Sequence, residues 1–255
     1  CDDEVMRTFQ AVGLVGAVRA TMHEGVTSKF VTSKGKEILS LASSITHNGY
    51  HQRNFFHQPY LEAELRKGIA RFPDRADLFL GYEAQSVVNG PDSATVTITS
   101  TQDGSTVEVE GRFVFASDGG SSTIRKSLGI PMEGTSLPDP WYDVQGETVS
   151  QIPGSPYFKF ICDTQRPGVD CPCPGGMHRY EWRMNDGEQA DQMSSDVWGI
   201  VNRLARQANA NPNITVDETS LDVQRTWQYT FHVRRAGQWR IGRVFLLGDA
   251  AHMMP

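Results

Sequence analysis

The sequence predicts an α/β protein in which an α/β region, residues 1–130 and 240–255, encloses a sheet-rich insertion at 131–239. Two observations lead there. Two continuously apolar stretches, 113–116 and 243–247, each run into a turn made of glycine and aspartate, as buried strands feeding a ligand-binding turn do. Between them, after Pro131, the pattern changes to the alternation of antiparallel strands.

The elements follow in order. Asp3 can cap a helix in which Val5, Phe9 and Val12 recur at helical spacing. Residues 27–42 read as a hairpin with Gly35 at the turn. Residues 57–73 read as a helix, with Pro59 in its first turn and Leu61, Leu65, Ile69 and Phe72 as one apolar stripe. Strands are expected at 93–101, 105–111 and 112–117, the last buried on both faces. A short helix at 121–128 stops at Gly129. In the insertion, 141–149, 157–164 and 178–186 alternate as strands. His178, Tyr180, Trp182 and Met184 share one face of the third, and Arg179, Glu181 and Arg183 the other. A helix capped by Ser195 or Asp196 turns Val197, Ile200, Val201, Leu204 and Ala208 inward. The longest alternating stretch, 220–233, then aligns Leu221, Val223, Trp227, Tyr229, Phe231 and Val233, with Arg225 the one charge among them.

Composition narrows the function. The formal net charge is -6 and no basic block occurs, which argues against nucleic acid and against acidic membrane surfaces. No apolar run approaches the roughly 18 residues of a membrane span. The first residues, CDDEVMRTFQ, have neither the basic nor the apolar region of a signal peptide. Four cysteines are too few for a disulfide scaffold, so a cytoplasmic location is expected. Cys162, Cys171, Cys173 and His178 carry metal-binding atoms, but their spacing matches no usual zinc pattern. Ordinary turn cysteines and no metal are expected.

The two turns, Asp118-Gly119 and Gly248-Asp249, share one context: apolar strand, glycine-plus-aspartate turn, helix start. Glycine lets a ligand approach the backbone, a helix start offers unpaired N–H groups to phosphate, and the carboxylate accepts bonds from sugar or ribitol hydroxyls. FASDGGSSTIRKSLGI and GRVFLLGDAAHMMP resemble the second and third flavin motifs of the single-component FAD-dependent aromatic hydroxylases, the class typified by para-hydroxybenzoate hydroxylase. DDEVMRTFQAVGL, RNFFHQPYLEAEL, GIPMEGT, HRYEWRM and YTFHVRRAGQWRIGRVFLLGDAAH resemble the branch containing 3-(3-hydroxyphenyl)propionate hydroxylase.

That resemblance implies an FAD-binding doubly wound domain, Rossmann-like and of the glutathione-reductase type, with an inserted substrate domain and with the hairpin near 27–42 facing the substrate side. It implies that Asp249 bonds the FAD ribitol, and that Gly248 and a helix beginning at Ala250 meet the pyrophosphate. Asp118, Gly119 and Arg125 match the motif serving FAD and the nicotinamide. Gln58 matches a flavin-contacting glutamine with Arg53 nearby, and Pro255 matches the first proline beside the reactive edge of the flavin ring. No G-x-G-x-x-G occurs, so the chain is expected to be the middle of a longer enzyme, its FAD domain incomplete at both ends.

The implied reaction is hydroxylation of a phenolic aromatic acid by a flavin hydroperoxide, with FAD as cofactor, NADH or NADPH as reductant, and O₂. A tyrosine or histidine near the phenol would assist its ionisation. Tyr229 is the first candidate, the alternative being a core tyrosine bonded to backbone, and His232 on the opposite face is the second. Tyr180 and Trp182 are candidates to line the substrate cavity, the alternative being packing. Arg225, interrupting an apolar face, is the candidate for a substrate carboxylate. Arg179 and Arg183 could also pair with that carboxylate, but solvated ion pairs with Glu181 explain them equally well. A homodimer is left open. The alternatives are an epoxidase or reductase on the same fold, or a non-catalytic flavin-fold module.

Overall fold

The computed structural model describes residues 1–150, 152 and 156–254. It is a mixed α/β chain that divides into two compact units, Cys1–Ala76 with Asp139–Tyr229, and Asp77–Pro138 with Thr230–Pro255. Residues 1–76 thus group with most of the expected insertion rather than with the two turns. The cause is backbone pairing: Ser28–Thr32 of the hairpin lies parallel to Phe158–Cys162, from Ser28 opposite Phe158 to Thr32 opposite Cys162.

In the first unit the hairpin forms as expected, Ser28–Thr32 against Glu37–Leu41, with Gly35 at a φ of 75°. It joins a large sheet that continues through Phe158–Cys162, Gly168–Pro172 and Met177–Arg183 to the parts of the long strands Met132–Thr148 and Leu221–Ala236 that lie in this unit, 139–148 and 221–229. Gly168–Pro172 escaped the sequence reading, because Pro172 and the two cysteines suggested a turn. The helix Val197–Asn209 buries Ile200, Val201, Leu204, Ala205 and Ala208 against one face of this sheet. That face supplies Val31, Tyr142, Val144, Ile161, Tyr180 and Trp182 to the same apolar cluster. Residues alternate across a strand, so Asp143, Gln145, Arg179 and Glu181 occupy the other face.

A second, smaller cluster gathers Met6, Phe9, Val18 and Leu61 from three helices, Asp3–Ala11, Val15–Arg19 and Gln58–Ile69. Two expectations are corrected here. Asp2, not Asp3, caps the first helix by accepting from Val5 N, while Asp3 accepts from Thr46 and Asn48. The buried stripe runs through Met6 and Phe9, and Val5 and Val12 are exposed. The third helix stops at Ile69, which leaves Phe72 exposed beyond its stripe.

In the second unit Tyr82–Asn89, Ala94–Ser100 and Thr106–Gly111 form an antiparallel meander. The first of these strands carries no clean alternation and was not anticipated. Val114–Ala116 and Val244–Leu246 pair in parallel, Ala116 opposite Leu246. The expectation that the former is buried on both faces is corrected: Phe115 is 63% exposed and stacks on Phe245, and Phe113 meets the same ring edge-on. The inner face carries Ala116, Ile124, Val244, Leu246, Ala250 and Ala251. No helix begins at Ala250. Gly248–Ala250 is a single 3-10 turn, followed by His252–Met253 pairing with Arg234 and Arg235. That ladder takes the backbone groups a helix would use.

Candidate functional site

The two glycine–acid turns lie side by side in the second unit. Parallel pairing of the strands that precede them places both at the same, carboxyl end, where ligands bind in α/β sheets. Leu247 N donates to Ala116 O at 2.9 Å, extending the ladder into the turns. Each pivot glycine has a left-handed backbone, φ 80° at Gly119 and 54° at Gly248. A Cβ built on either would meet nothing within 4 Å. The space over both glycines is therefore open to a ligand.

The acids are used differently. Asp118 faces back into its own turn: it accepts from Ser122 Oγ at 2.5 Å and from Ile124 N at 3.0 Å, fixing the start of Thr123–Ser127. Asp249 is exposed, and no hydrogen bond to its carboxylate is recorded among the described residues. Arg125, expected to face a cofactor, is buried and braces the two turns. It donates to Ala250 O at 3.2 Å and to Gly120 O at 3.0 Å. His232, also in this unit, has its Nδ1 2.8 Å from Ser136 Oγ. Pro255 lies outside the described residues.

The first unit holds a cavity of about 710 Å³, a size suited to a small organic ligand. Phe55, Phe56, Phe158 and Trp227 supply aromatic walls, and Arg179 and Arg225 the cations. Gln58 lines it at the start of its helix, with Nε2 donating to Glu62 at 2.9 Å. Two other lining residues, Asn54 and His57, each hold a buried polar atom (Oδ1 and Nδ1) that has no hydrogen-bond partner. Such atoms are costly unless something polar meets them. Burial also pushes the His57 imidazole below its ordinary value. Arg53 is not on this wall: it donates to Ser28 Oγ and, at 3.4 Å, to Leu41 O, holding the hairpin.

Tyr180 and Trp182, expected at the substrate cavity, are both 0% exposed in the apolar core. The opposite face, for which solvation and carboxylate pairing were both open, supplies the cavity wall through Gln145, Cys171 and Arg179. Behind that wall, Arg179 pairs with Glu181 and stands 3.5 Å from Asp143. Tyr229 donates its hydroxyl to Glu181. Burial and Glu181 push the Tyr229 hydroxyl well above its ordinary range, so it stays protonated. Arg225 lies over the Trp227 ring at 4.2 Å, with no carboxylate paired to it among the described residues. Gln145 and the two cysteines were missed as wall groups, and Asp143 as the carboxyl behind them. Their signal was the polar-apolar alternation of Asp143, Val144 and Gln145, legible only once both sheet faces are known to be covered.

Asp143 is 1% exposed and neither oxygen has a hydrogen-bond partner. One arginine there faces two carboxylates, an unbalanced charge in a dry place. Burial, then the nearby Glu181, push the Asp143 carboxyl up to about 8. A carboxyl raised on folding stabilises fully below its unfolded value near 3.8 and loses that contribution as pH climbs through about 8. Asp143→Asn, a mimic of the neutral acid, is expected to raise the melting temperature more at roughly pH 9 than at roughly pH 5. Equal shifts at the two pH values would contradict a neutral Asp143.

All of residues 1–255 match the family described as FAD binding domain. The chain belongs to that family, and its cofactor is FAD. Among curated relatives it is 33% identical over 256 residues to a 3-(3-hydroxy-phenyl)propionate/3-hydroxycinnamic acid hydroxylase of Comamonas testosteroni, covering 100% of this chain and 41% of that protein. It is 32% identical to the enzyme of that name in Escherichia coli K12, covering 44% of it. The chain thus spans less than half the length of these relatives. Among solved structures, p-nitrophenol 4-monooxygenase PnpA from Pseudomonas putida DLL-E4 superposes with a TM-score of 0.83 at 16% identity, over 99% of this chain and 62% of that one. The flavin-dependent monooxygenase PieE, in complex with FAD and substrate, gives 0.81 at 16%, over 100% and 46%. These two likenesses show the fold. No helix among the described residues is long and apolar enough to cross a membrane. Among them, no group of three or more His, Cys, Asp or Glu is placed to hold a metal.

Proposed function

We propose that this chain carries the flavin turns and the substrate cavity of a monooxygenase that hydroxylates a phenolic aromatic acid with NADH or NADPH and O₂. The observation that carries this reading is the cavity: aromatic walls, two arginines and unpartnered buried polar atoms in one space of about 710 Å³. That chemistry suits an aromatic ring bearing a carboxylate, and the names of the 33%-identical relatives describe such substrates.

The residues of the second unit fit FAD. The open space over Gly119 and Gly248 admits a ligand backbone, and the exposed Asp249 carboxylate accepts bonds from ribitol hydroxyls. Arg125 and Asp118 hold the turns in shape rather than meeting the ligand. Gln58 and Arg53 keep their flavin-side roles as part of the proposal. When bound and reduced, FAD supplies the activation of O₂. The chain's own groups orient the ring, exclude water and hold protons. Trp227 and the phenylalanines sandwich the ring, and Arg225 receives the carboxylate. Tyr229, held protonated, donates to Glu181 and so positions that carboxylate against Arg179 rather than serving as a base. His232 is the second candidate for the proton, and Pro255 is assigned to the flavin edge. A cytoplasmic setting goes with this reading, since all four cysteines are free thiols.

The test uses the full-length protein. It should be yellow when purified, and 3-(3-hydroxyphenyl)propionate should accelerate its oxidation of NADH or NADPH with a hydroxylated product. Colourless protein, or oxidation indifferent to phenolic acids, defeats the proposal. Arg225→Met is expected to raise KM for that acid by about 10- to 100-fold, the worth of a charge-assisted hydrogen bond. It should hardly change KM for 3-ethylphenol, which has no carboxylate. Equal losses for both would remove Arg225 from carboxylate recognition.

A further inference from the structure

Two thiols share the cavity wall. Cys171, on the strand Gly168–Pro172, and Cys173, just beyond it, flank Pro172 and point the same way, as alternate residues of a strand do. Their Sγ atoms are 3.8 Å apart. Cys173 is held there by its own backbone, since Cys173 N donates to Met177 O at 2.8 Å. Cys171 is buried and Cys173 half-buried, so a reagent in the cavity meets Cys173 first. We propose that Cys173 is a nucleophilic thiol with Cys171 as its resolving partner, and that together they form a site for small hydroperoxides.

The groups facing Cys173 favour its thiolate. The Cys171 sulfur is within hydrogen-bond reach and Arg179 adds positive charge, and together they outweigh burial and the opposing Glu181, which brings the Cys173 thiol down to about 7. Asp143, which also senses this thiol, is neutral near that pH. Cys171 moves the opposite way, through its contact with Cys173 and through its burial. The pair is therefore unequal, one thiolate near neutral pH and one thiol, as a nucleophile and its resolver must be.

The chemistry balances. The Cys173 thiolate attacks the terminal oxygen of the hydroperoxide and the O–O bond breaks. The departing oxygen leaves as hydroxide or alkoxide, takes a proton, and Cys173 becomes a sulfenic acid. Cys171 sulfur then attacks Cys173 sulfur, an S–S bond forms, and the hydroxyl leaves as water with the Cys171 proton. Two thiols lose two electrons, and the peroxide gains them. Closing the pair from 3.8 Å to a disulfide's ~2.05 Å requires side-chain rotation and a small shift at the loop beyond Pro172. This proposal stands apart from the proposed reaction, because it needs neither flavin nor aromatic substrate.

The experiment treats the full-length protein, with Cys162→Ser as background because Cys162 is exposed, with stoichiometric hydrogen peroxide. Thiol titration should lose two thiols. Tandem mass spectrometry should place a mass lower by about 2 Da across Cys171 and Cys173, with no dimedone adduct. Cys171→Ser should stop at a dimedone-trappable sulfenic acid on Cys173, and Cys173→Ser should keep its remaining thiols. Oxidation of Cys1 ahead of Cys173, or dimedone labelling of Cys173 as strong with Cys171 present as without it, would overturn the assignment.

Discussion

Trp182→Ala is expected to cost about 3–5 kcal/mol of stability, the largest single loss available in the first unit. The indole is fully buried, tilted on Tyr142 at 5.2 Å, and its Nε1 donates to Met193 Sδ at 3.4 Å. It joins the sheet to the short helix Ala190–Ser195, so its removal opens a void that neighbours on two elements cannot close together. Chemical denaturation of the full-length protein should show the midpoint fall with the slope nearly unchanged. A loss below about 1 kcal/mol would mean that the indole packs loosely or lines a space rather than filling a core. Trp182→Phe, which keeps a ring, should recover most of the loss.

The second large effect is on the cofactor. Asp249→Ala in the full-length protein is expected to weaken FAD about 10- to 100-fold, the worth of one or two charge-assisted hydrogen bonds. Its melting temperature without flavin should be unchanged. The separation is possible because Asp249 is exposed and takes no recorded part in holding its turn. Arg125 provides the contrast. Removing it leaves the carbonyls of Ala250 and Gly120 without their donor, so Arg125→Met should lower stability and FAD retention together. Equilibrium dialysis against FAD, read by visible absorbance, distinguishes the two. If Asp249→Ala retained flavin as the parent does, the ribitol contact would belong to another residue.

Local chemistry made much of this legible in advance. The hairpin at Gly35, the helix opened by Pro59, the core stripe of Val197–Asn209 and the strand Met177–Arg183 each announce themselves by spacing or by a turn residue. Both glycine–acid turns could be found because glycine beside aspartate after an apolar strand is a local pattern. What failed was non-local. Phe113 and Phe115 looked like core because apolar residues do not reveal whether a second layer covers them. The expected helix after Gly248 lost to a ladder with Arg234 and Arg235, residues close in space and not in the pattern being read. Tyr180 and Trp182 were placed on a sheet face correctly, but which face met the helix and which met the cavity was undetermined.

By itself, then, the sequence determined the family and the order of most elements, and it singled out the turn at Gly248 and Asp249 that is proposed to meet the cofactor. Those depend on neighbours a few residues apart, where backbone conformation and period act. Only the tertiary structure decided which strand of the insertion the hairpin pairs with, that Arg125 braces the two turns, and that Arg179 joins a cavity wall bearing two thiols to the buried carboxyls of Asp143 and Glu181. The reason is physical. Strand pairing and burial are set by which surfaces meet, and a charge reads the same in sequence whether water or another layer of protein covers it.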